Sequence, residues 1–247
     1  MEAFCAELAG VVIGIRCAYP ETRLFLKDYE TEKEAAFTVE AEAADLKWAR
    51  AELDRQDGAE GREPRRRAGS VLEKMALHRL LAEGLTEYGV LLVHGSALAL
   101  DGAGCIFTAP SGTGKSTHAA LWRRVFGERV LMLNDDKPLL RVGAEGVTVY
   151  GSPWDGKHHL SRNASAPLRA VARIVRAAEN KVEPLPKDRA FQVLMTQAYA
   201  SRDPAVMARI LRLEQQILDQ VPFFDLRCNM EPEAARVACA AMGLSGP

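Results

Sequence analysis

The run Ala109-Pro110-Ser111-Gly112-Thr113-Gly114-Lys115-Ser116-Thr117 holds the residue types that a phosphate-binding loop needs. Glycines at 112 and 114 can take backbone angles closed to other residues, so successive amide N–H groups can converge on phosphate oxygens. Lys115 adds a mobile cation for the β- and γ-phosphates, and the Ser116 hydroxyl can complete the shell of a magnesium ion. The first position of the usual pattern is glycine and here is Ala109, a departure that leaves both glycines nearest the lysine in place. Ser111 through Thr117 therefore predict a nucleoside triphosphate site with magnesium.

A second group of reactive residues is Asn134-Asp135-Asp136, directly after the apolar run Val130 to Leu133. Two adjacent carboxylates at the carboxyl end of a core strand lie where ligands bind open α/β sheets; one can hold magnesium while the other handles a proton. Successive side chains of an extended chain point to opposite faces, so the two should do different work. A third dense stretch is Gly151 to His159. Its small residues allow close approach, and Trp154 and Lys157 are expected to contact the phosphoryl acceptor. His158-His159 is not a metal pair, because sequence neighbours seldom converge on one ion. His94 interrupts an apolar strand and must find a hydrogen-bond partner or meet substrate.

These residues need a scaffold, and the apolar pattern supplies one. The run 104–108 reads as a strand entering the loop, and 118–126 as the helix leaving it. Val90 to Leu100 reads as a nearly continuous strand that turns at Asp101-Gly102, preceded by a helix from Val71 to Tyr88. Leu139 to Tyr150 predicts a hairpin, and a strand follows near Leu168 to Arg176. Helical spacing then recurs at Phe191, Leu194, Met195, Ala198 and Tyr199, and again at Val206, Ile210, Leu213 and Ile217. A strand over 221–227 and a helix over 231–242 complete an α/β pattern.

Upstream, Val11 to Cys17 and Ala35 to Glu42 predict a small accessory sheet. The charged run 56–70, rich in Gly and Arg, reads as a loop and boundary, which divides the chain into 1–69 and 70–247. Arg62 and Arg65 to Arg67 within it could grip phosphate, but a charge run without interleaved aromatics reads better as a solvated turn.

With 247 residues and 48% hydrophobic content the chain can bury a sizeable core. Its 32 basic and 33 acidic residues give a net charge of −1, so no overall field attracts nucleic acid or an anionic membrane. The 5 cysteines are scattered and never paired as C-x-x-C, which fits a reducing cytoplasm. The early apolar run Val11 to Ile15 is too short for a signal peptide or a membrane helix, so the expected location is cytoplasmic.

His94-Gly95, Ser111-Gly112-Thr113-Gly114-Lys115-Ser116 and Asn134-Asp135-Asp136, in that order over residues 90–160, resemble the HPr kinase/phosphorylase family, which shares its nucleotide fold with phosphoenolpyruvate carboxykinases. The resemblance implies an α/β P-loop core with a small N-terminal accessory β-rich region and C-terminal helices. It implies transfer of the γ-phosphoryl group of ATP, with Mg2+, to a serine hydroxyl of a peptide or protein. Asp135 would be the proton acceptor, Asp136 and Ser116 would sit at the magnesium, and His94 and Lys115 would lie close to the reacting groups. Tyr150 to Lys157 stands where the family carries its phosphorylase signature, and residues 1–80 do not look like its regulatory domain. The chain is accordingly more similar to the short serine kinases found beside ribosomally made peptides such as lasso peptides. A nucleotide-binding sensor or interaction module without transfer, and a small-molecule kinase, are the competing readings. Retention of Asp135 favours the kinase, because binding alone needs no base; self-association is left open.

Overall fold

A computed structural model describes residues 2–156 and 159–244, so the expected acceptor contact Lys157, with His158, lies outside the described residues. The chain divides into two compact units, Met1–Tyr88 and Gly89–Pro247.

The N-terminal unit contains β1 (Glu2–Leu8), β2 (Val11–Cys17), α1 (Pro20–Leu26), β3 (Glu30–Thr31), β4 (Phe37–Glu40), α2 (Ala43–Ala59) and α3 (Gly69–Leu85). Its four strands lie in the order β3-β1-β2-β4. The accessory sheet is present, but three helices accompany it, so the unit is not simply β-rich. The boundary also falls after Tyr88 rather than at 69/70. Leu72 and Ala76 of α3 pack with Ala49 of α2, and the buried Glu73 carboxylate accepts from Ala18 N at 2.7 Å and from Thr22 Oγ1. These contacts hold α3 with the first unit. Residues 56–59, expected as loop, form the last turn of α2. The Arg62, Arg65 and Arg67 guanidinium groups close on the buried Asp57 carboxylate, which gives those arginines an internal anion.

The second unit runs β5 (Val90–Leu92), β6 (Ser96–Leu100), β7 (Ala103–Thr108), α4 (Lys115–Phe126), β8 (Val130–Asn134), β9 (Leu139–Gly143), β10 (Gly146–Tyr150), β11 (Ser165–Arg176), β12 (Lys181–Pro184), α5 (Lys187–Gln197), α6 (Pro204–Gln220), β13 (Phe223–Cys228) and α7 (Glu233–Ala241). Nine strands form one sheet along the path β5-β9-β10-β11-β7-β6-β8, with β13 on β11 and β12 on β13. β7, β11 and β13 are parallel, and β6 is antiparallel to both β7 and β8. The carboxyl ends of β7, β8, β11 and β13 therefore share one edge of the sheet, where open α/β sheets bind ligands.

Alternation along each strand sorts the core into two layers. Ala97, Ala99, Ile106, Leu133 and Val171 face one side, with Leu194 of α5 and Ile210 and Ile217 of α6. Leu98, Leu100, Phe107, Met132 and Ala172 face the other, with Trp122 of α4 and Ala235 and Ala238 of α7. Helices cover both faces of the sheet, which is the α/β architecture that the sequence predicts.

The expected continuous strand Val90 to Leu100 is broken. β5 pairs with β9, whereas β6 lies between β7 and β8. The break has a physical cause at His94-Gly95. A Cβ on Gly95 would meet Ile106 Cγ2 at 2.7 Å and the Phe107 carbonyl at 3.0 Å, so only glycine lets the chain pass there. The His94 N–H donates to the Gln197 carbonyl at 2.7 Å and the Gly95 N–H to the Asp136 carbonyl at 3.0 Å. His94 thus sits in a crossover between strands. Among the described residues no helix is long and apolar enough to cross a membrane.

One core group works against stability. Glu214 of α6 is 1% exposed, and its Oε2 has no hydrogen-bond partner among the described residues. Burial pushes its carboxyl up to about 7. Between its ordinary range and that value the native state holds a proton that the unfolded chain lacks. Stability therefore falls as pH rises through this window, and above it the full cost of roughly 3 kcal/mol remains. Glu214→Gln should melt higher than the parent at about pH 8 and only slightly higher near pH 5. Equal differences at both values in calorimetric scans would show that Glu214 is not held protonated in the core.

Candidate functional site

Thr108 ends β7, and the chain then turns through the glycine-rich loop into α4. Gly112 and Gly114 take φ of +75° and +125°, conformations that side chains rarely adopt, with nothing within 4 Å of where a Cβ would stand. The glycines are needed for backbone angle here, not for space. Gly114 is the N-cap of α4 and has no side chain with which to cap it, so the N–H groups of the first turn remain available to an anion. Ser116 is half-buried and Thr117 exposed in that first turn; Ser111 is exposed and Thr113 half-buried before it.

Arg176, at the end of β11, donates through Nε to the Thr113 carbonyl at 2.9 Å and through Nη2 to the Gly112 carbonyl. This grip ties the carbonyls of Gly112 and Thr113 to the end of β11. Sequence reading missed Arg176, because a guanidinium more than sixty residues away carries no local signal. Lys115 is 8% exposed, and its Nζ donates to the Ala109 carbonyl at 3.0 Å. Burial lowers its pKa, partly offset by Asp136. The ammonium is thus folded back onto the loop that it follows.

The paired carboxylates are placed by Asn134, which is fully buried. Its Oδ1 accepts from Asp136 N at 2.8 Å and Lys137 N at 2.6 Å, an Asx turn that ends β8. Its Nδ2 donates to the Ser152 carbonyl at 3.1 Å, Ser152 Oγ at 3.2 Å and the Trp154 carbonyl at 3.3 Å. One amide therefore binds the carboxylate turn to the Gly151–Asp155 loop. Asn134→Ala would strand several buried partners. We expect about 2–4 kcal/mol of lost stability by denaturant titration. A loss well under about 1 kcal/mol would show that the turn holds itself.

Asp135 and Asp136 face different groups, but both lie in the turn past the end of β8, where strand alternation no longer applies. Asp135 is 5% exposed, and its Oδ1 accepts from Ser96 Oγ at 2.9 Å. Its Oδ2 faces Gly156, where an added Cβ would lie 3.0 Å from it. Asp136 turns towards His94 Nε2, 3.4 Å away, and Lys137 Nζ, 3.9 Å away. Burial raises its pKa, against the lowering effects of Lys137 and Lys115.

His94 Nδ1 lies 3.1 Å from Gln197 Oε1, and burial, with Lys137 and Lys115 nearby, pushes the ring down to about 4. The ring is neutral near pH 7 and carries one proton, which can donate from Nδ1 to Gln197 Oε1 or from Nε2 to the Asp136 oxygen 3.4 Å away. Ser96 and Gln197, which orient Asp135 and His94, gave no sequence signal. Trp154 is half-buried in the loop held by Asn134.

Beside α4 lies a cleft of about 470 Å3, walled by Leu121, Ile174, Cys228 and Met230 and floored by Gly112 and Gly114. Loop, carboxylates and His94 thus meet at one sheet edge within a single compact unit. Glycine nest, cation and paired carboxylates form a donor set that fits a triphosphate with a hard cation.

No protein-family model and no curated protein matches the chain. Among solved structures, it is similar to the Hpr(Ser) kinase/phosphatase from Coxiella burnetii, with a TM-score of 0.35 and 12% sequence identity over 62% of this chain and 92% of that one.

Proposed function

We propose that this chain is an ATP- and magnesium-dependent kinase that transfers the γ-phosphoryl group to a serine hydroxyl of a peptide or protein. The observation that carries the reading is the meeting of Lys115, Asp135 and Asp136 at the carboxyl edge of the sheet. Both carboxylates act electrostatically on Lys115, which supports the reading that all three serve one phosphate chain.

The chain's groups divide the work. Loop amides and Lys115 hold the β- and γ-phosphates, and the apolar walls of the cleft beside α4 suit a purine ring. Magnesium, bound through Ser116, Asp136 and the phosphates, would neutralise charge as the phosphoryl group moves. Asp136 is the acid we assign to that cation, since its side chain is the more exposed while Asp135 is buried and already accepts from Ser96 Oγ. Asp135 Oδ2 faces Gly156 of the Gly151–Gly156 loop, the side on which this reading puts the acceptor. The serine oxygen bonds to the γ-phosphorus as the bridging P–O bond breaks, and its proton passes to Asp135. Ser96 fixes the other Asp135 oxygen, so the basic lone pair has one direction. Neutral His94 steadies Asp136 without adding positive charge. Trp154 borders the acceptor in this reading, and Lys157 belongs to the same loop.

Transfer of label from γ-labelled ATP to serine-bearing peptides, with magnesium and with a chelator, tests the proposal. Magnesium-dependent phosphoserine is the expected product. ATP binding with no transfer to any peptide or protein would instead support a nucleotide-binding module.

A further inference from the structure

His118 lies one turn into α4, buried at the border of the cleft beside that helix, and phosphoryl transfer gives its ring no task. Its two nitrogens are set differently. Nε2 accepts from the indole Nε1–H of Trp122 at 3.0 Å, and Trp122 is fully buried. An indole N–H can only donate, so Nε2 presents its lone pair and the one proton of the neutral ring sits on Nδ1. Burial pushes the ring down to about 4, which keeps it neutral near pH 7. Phe107 meets the ring edge to face, with centroids 4.6 Å apart and planes at 74°. Tautomer and orientation are thus both fixed by the core.

The side of the ring that holds the proton is the side that meets the cleft. Of the two residues that the ring nitrogens face, Cys228 borders the cleft and Trp122 is enclosed in the core. Nδ1 and Cys228 Sγ are 4.0 Å apart, and a thiol is a weak acceptor, so this N–H is close to unspent. A buried donor left in that state costs stability that an aliphatic side chain at position 118 would not. The surroundings restrict what can meet it. Leu121 and Ile174 are apolar, Met230 stands largely exposed at the border, and Gly112 and Gly114 belong to the phosphate loop. A ligand that fits is largely apolar, joined to phosphates, and carries an acceptor for one fixed N–H. A purine nucleotide meets all three conditions, because its ring holds unprotonated nitrogens.

We infer that His118 is the base-reading residue of the nucleotide site: its Nδ1–H donates to a ring nitrogen of the adenine, and Trp122 is the positioning residue that holds the proton on Nδ1. This rests on the nucleotide half of the kinase reading above and not on transfer. The fixed tautomer carries the selectivity. Trp122 keeps the ring from turning an acceptor towards the cleft, so a base edge that presents only N–H or C–H to Nδ1 leaves the donor unpaired.

The probes, each with magnesium, are ATP, its 1-deaza, 3-deaza and 7-deaza analogues, and inorganic tripolyphosphate, which offers the loop its phosphates without a base. In the parent, one of the three analogues should bind about tenfold more weakly than ATP by calorimetry, because a C–H replaces the nitrogen that Nδ1–H meets. In His118→Met all four nucleotides should bind alike, with tripolyphosphate at the parent affinity. Trp122→Phe should lessen the same discrimination, as the neutral ring can then place its proton on either nitrogen. Imidazole nitrogen NMR of the parent needs no variant. The Nδ1–H form is expected before any ligand, with a shift at Nδ1 on adding ATP and none on adding tripolyphosphate. Equal affinities across the deaza series in the parent, with Nδ1 unmoved by ATP, would overturn the inference and leave the kinase reading to its own test. A His118-dependent preference with no phosphoryl transfer to any peptide or protein would uphold the inference and remove the kinase. Absence of binding by ATP and tripolyphosphate alike would remove both.

Discussion

Asp135→Asn is expected to bind Mg·ATP with near-parent affinity and to lose phosphoryl transfer by about 10²- to 10⁴-fold, the usual contribution of a positioned general base. An asparagine oxygen can still accept from Ser96 Oγ, which holds Oδ1 of the parent at 2.9 Å, so the turn and its neighbours should survive. What disappears is the lone pair that takes a proton. Asp136→Asn is the matched control. It keeps the size of the side chain and removes the charge beside Lys115 and Lys137, so its defect should appear as a higher magnesium requirement. Single-turnover rates and magnesium titrations on both variants separate the roles. Near-normal turnover in Asp135→Asn, with loss at saturating magnesium in Asp136→Asn, would interchange the two assignments.

The sequence displays the loop and the carboxylates because their chemistry is local. Glycine spacing, Lys115 and the Asn-Asp-Asp run each specify a turn whose partners lie within a few residues, as the bonds from Asn134 Oδ1 to Asp136 N and Lys137 N illustrate. Period-2 and period-3.6 patterns made most elements of the second unit legible for the same reason. The failures occur where a distant contact decides. Val90 to Leu100 carries the pattern of one strand, yet the close approach of Gly95 to β7 and the backbone bond from His94 to Gln197 split it. Residues 56–59 carry the composition of a loop but close α2, because three arginines downstream satisfy Asp57. Arg176, Ser96 and Gln197 reach the site from other elements, so only the folded chain brings them there.

Lys115→Ala should weaken ATP by about 10- to 100-fold, since charge-assisted hydrogen bonds are worth roughly 1.5–3 kcal/mol and nothing else in the loop carries a full positive charge. Transfer should fall further than binding, because charge on the phosphoryl oxygens moves during the reaction and a cation positioned there acts on the transition state. The ammonium also has an effect that can be read without nucleotide. Lys115 is among the groups that push His94 down to about 4, and it lowers Asp136 as well. Its removal should move the His94 titration upwards in imidazole NMR spectra, although burial, the larger cause, will keep the ring below its ordinary value. The two readouts have separate meanings. A His94 shift with unchanged ATP affinity would confirm that Lys115 sits in the carboxylate cluster and reject it as the phosphate ligand. Lost affinity with no His94 shift would leave the phosphate loop intact but detach it from His94 and Asp136, and with them the route from nucleotide to acceptor.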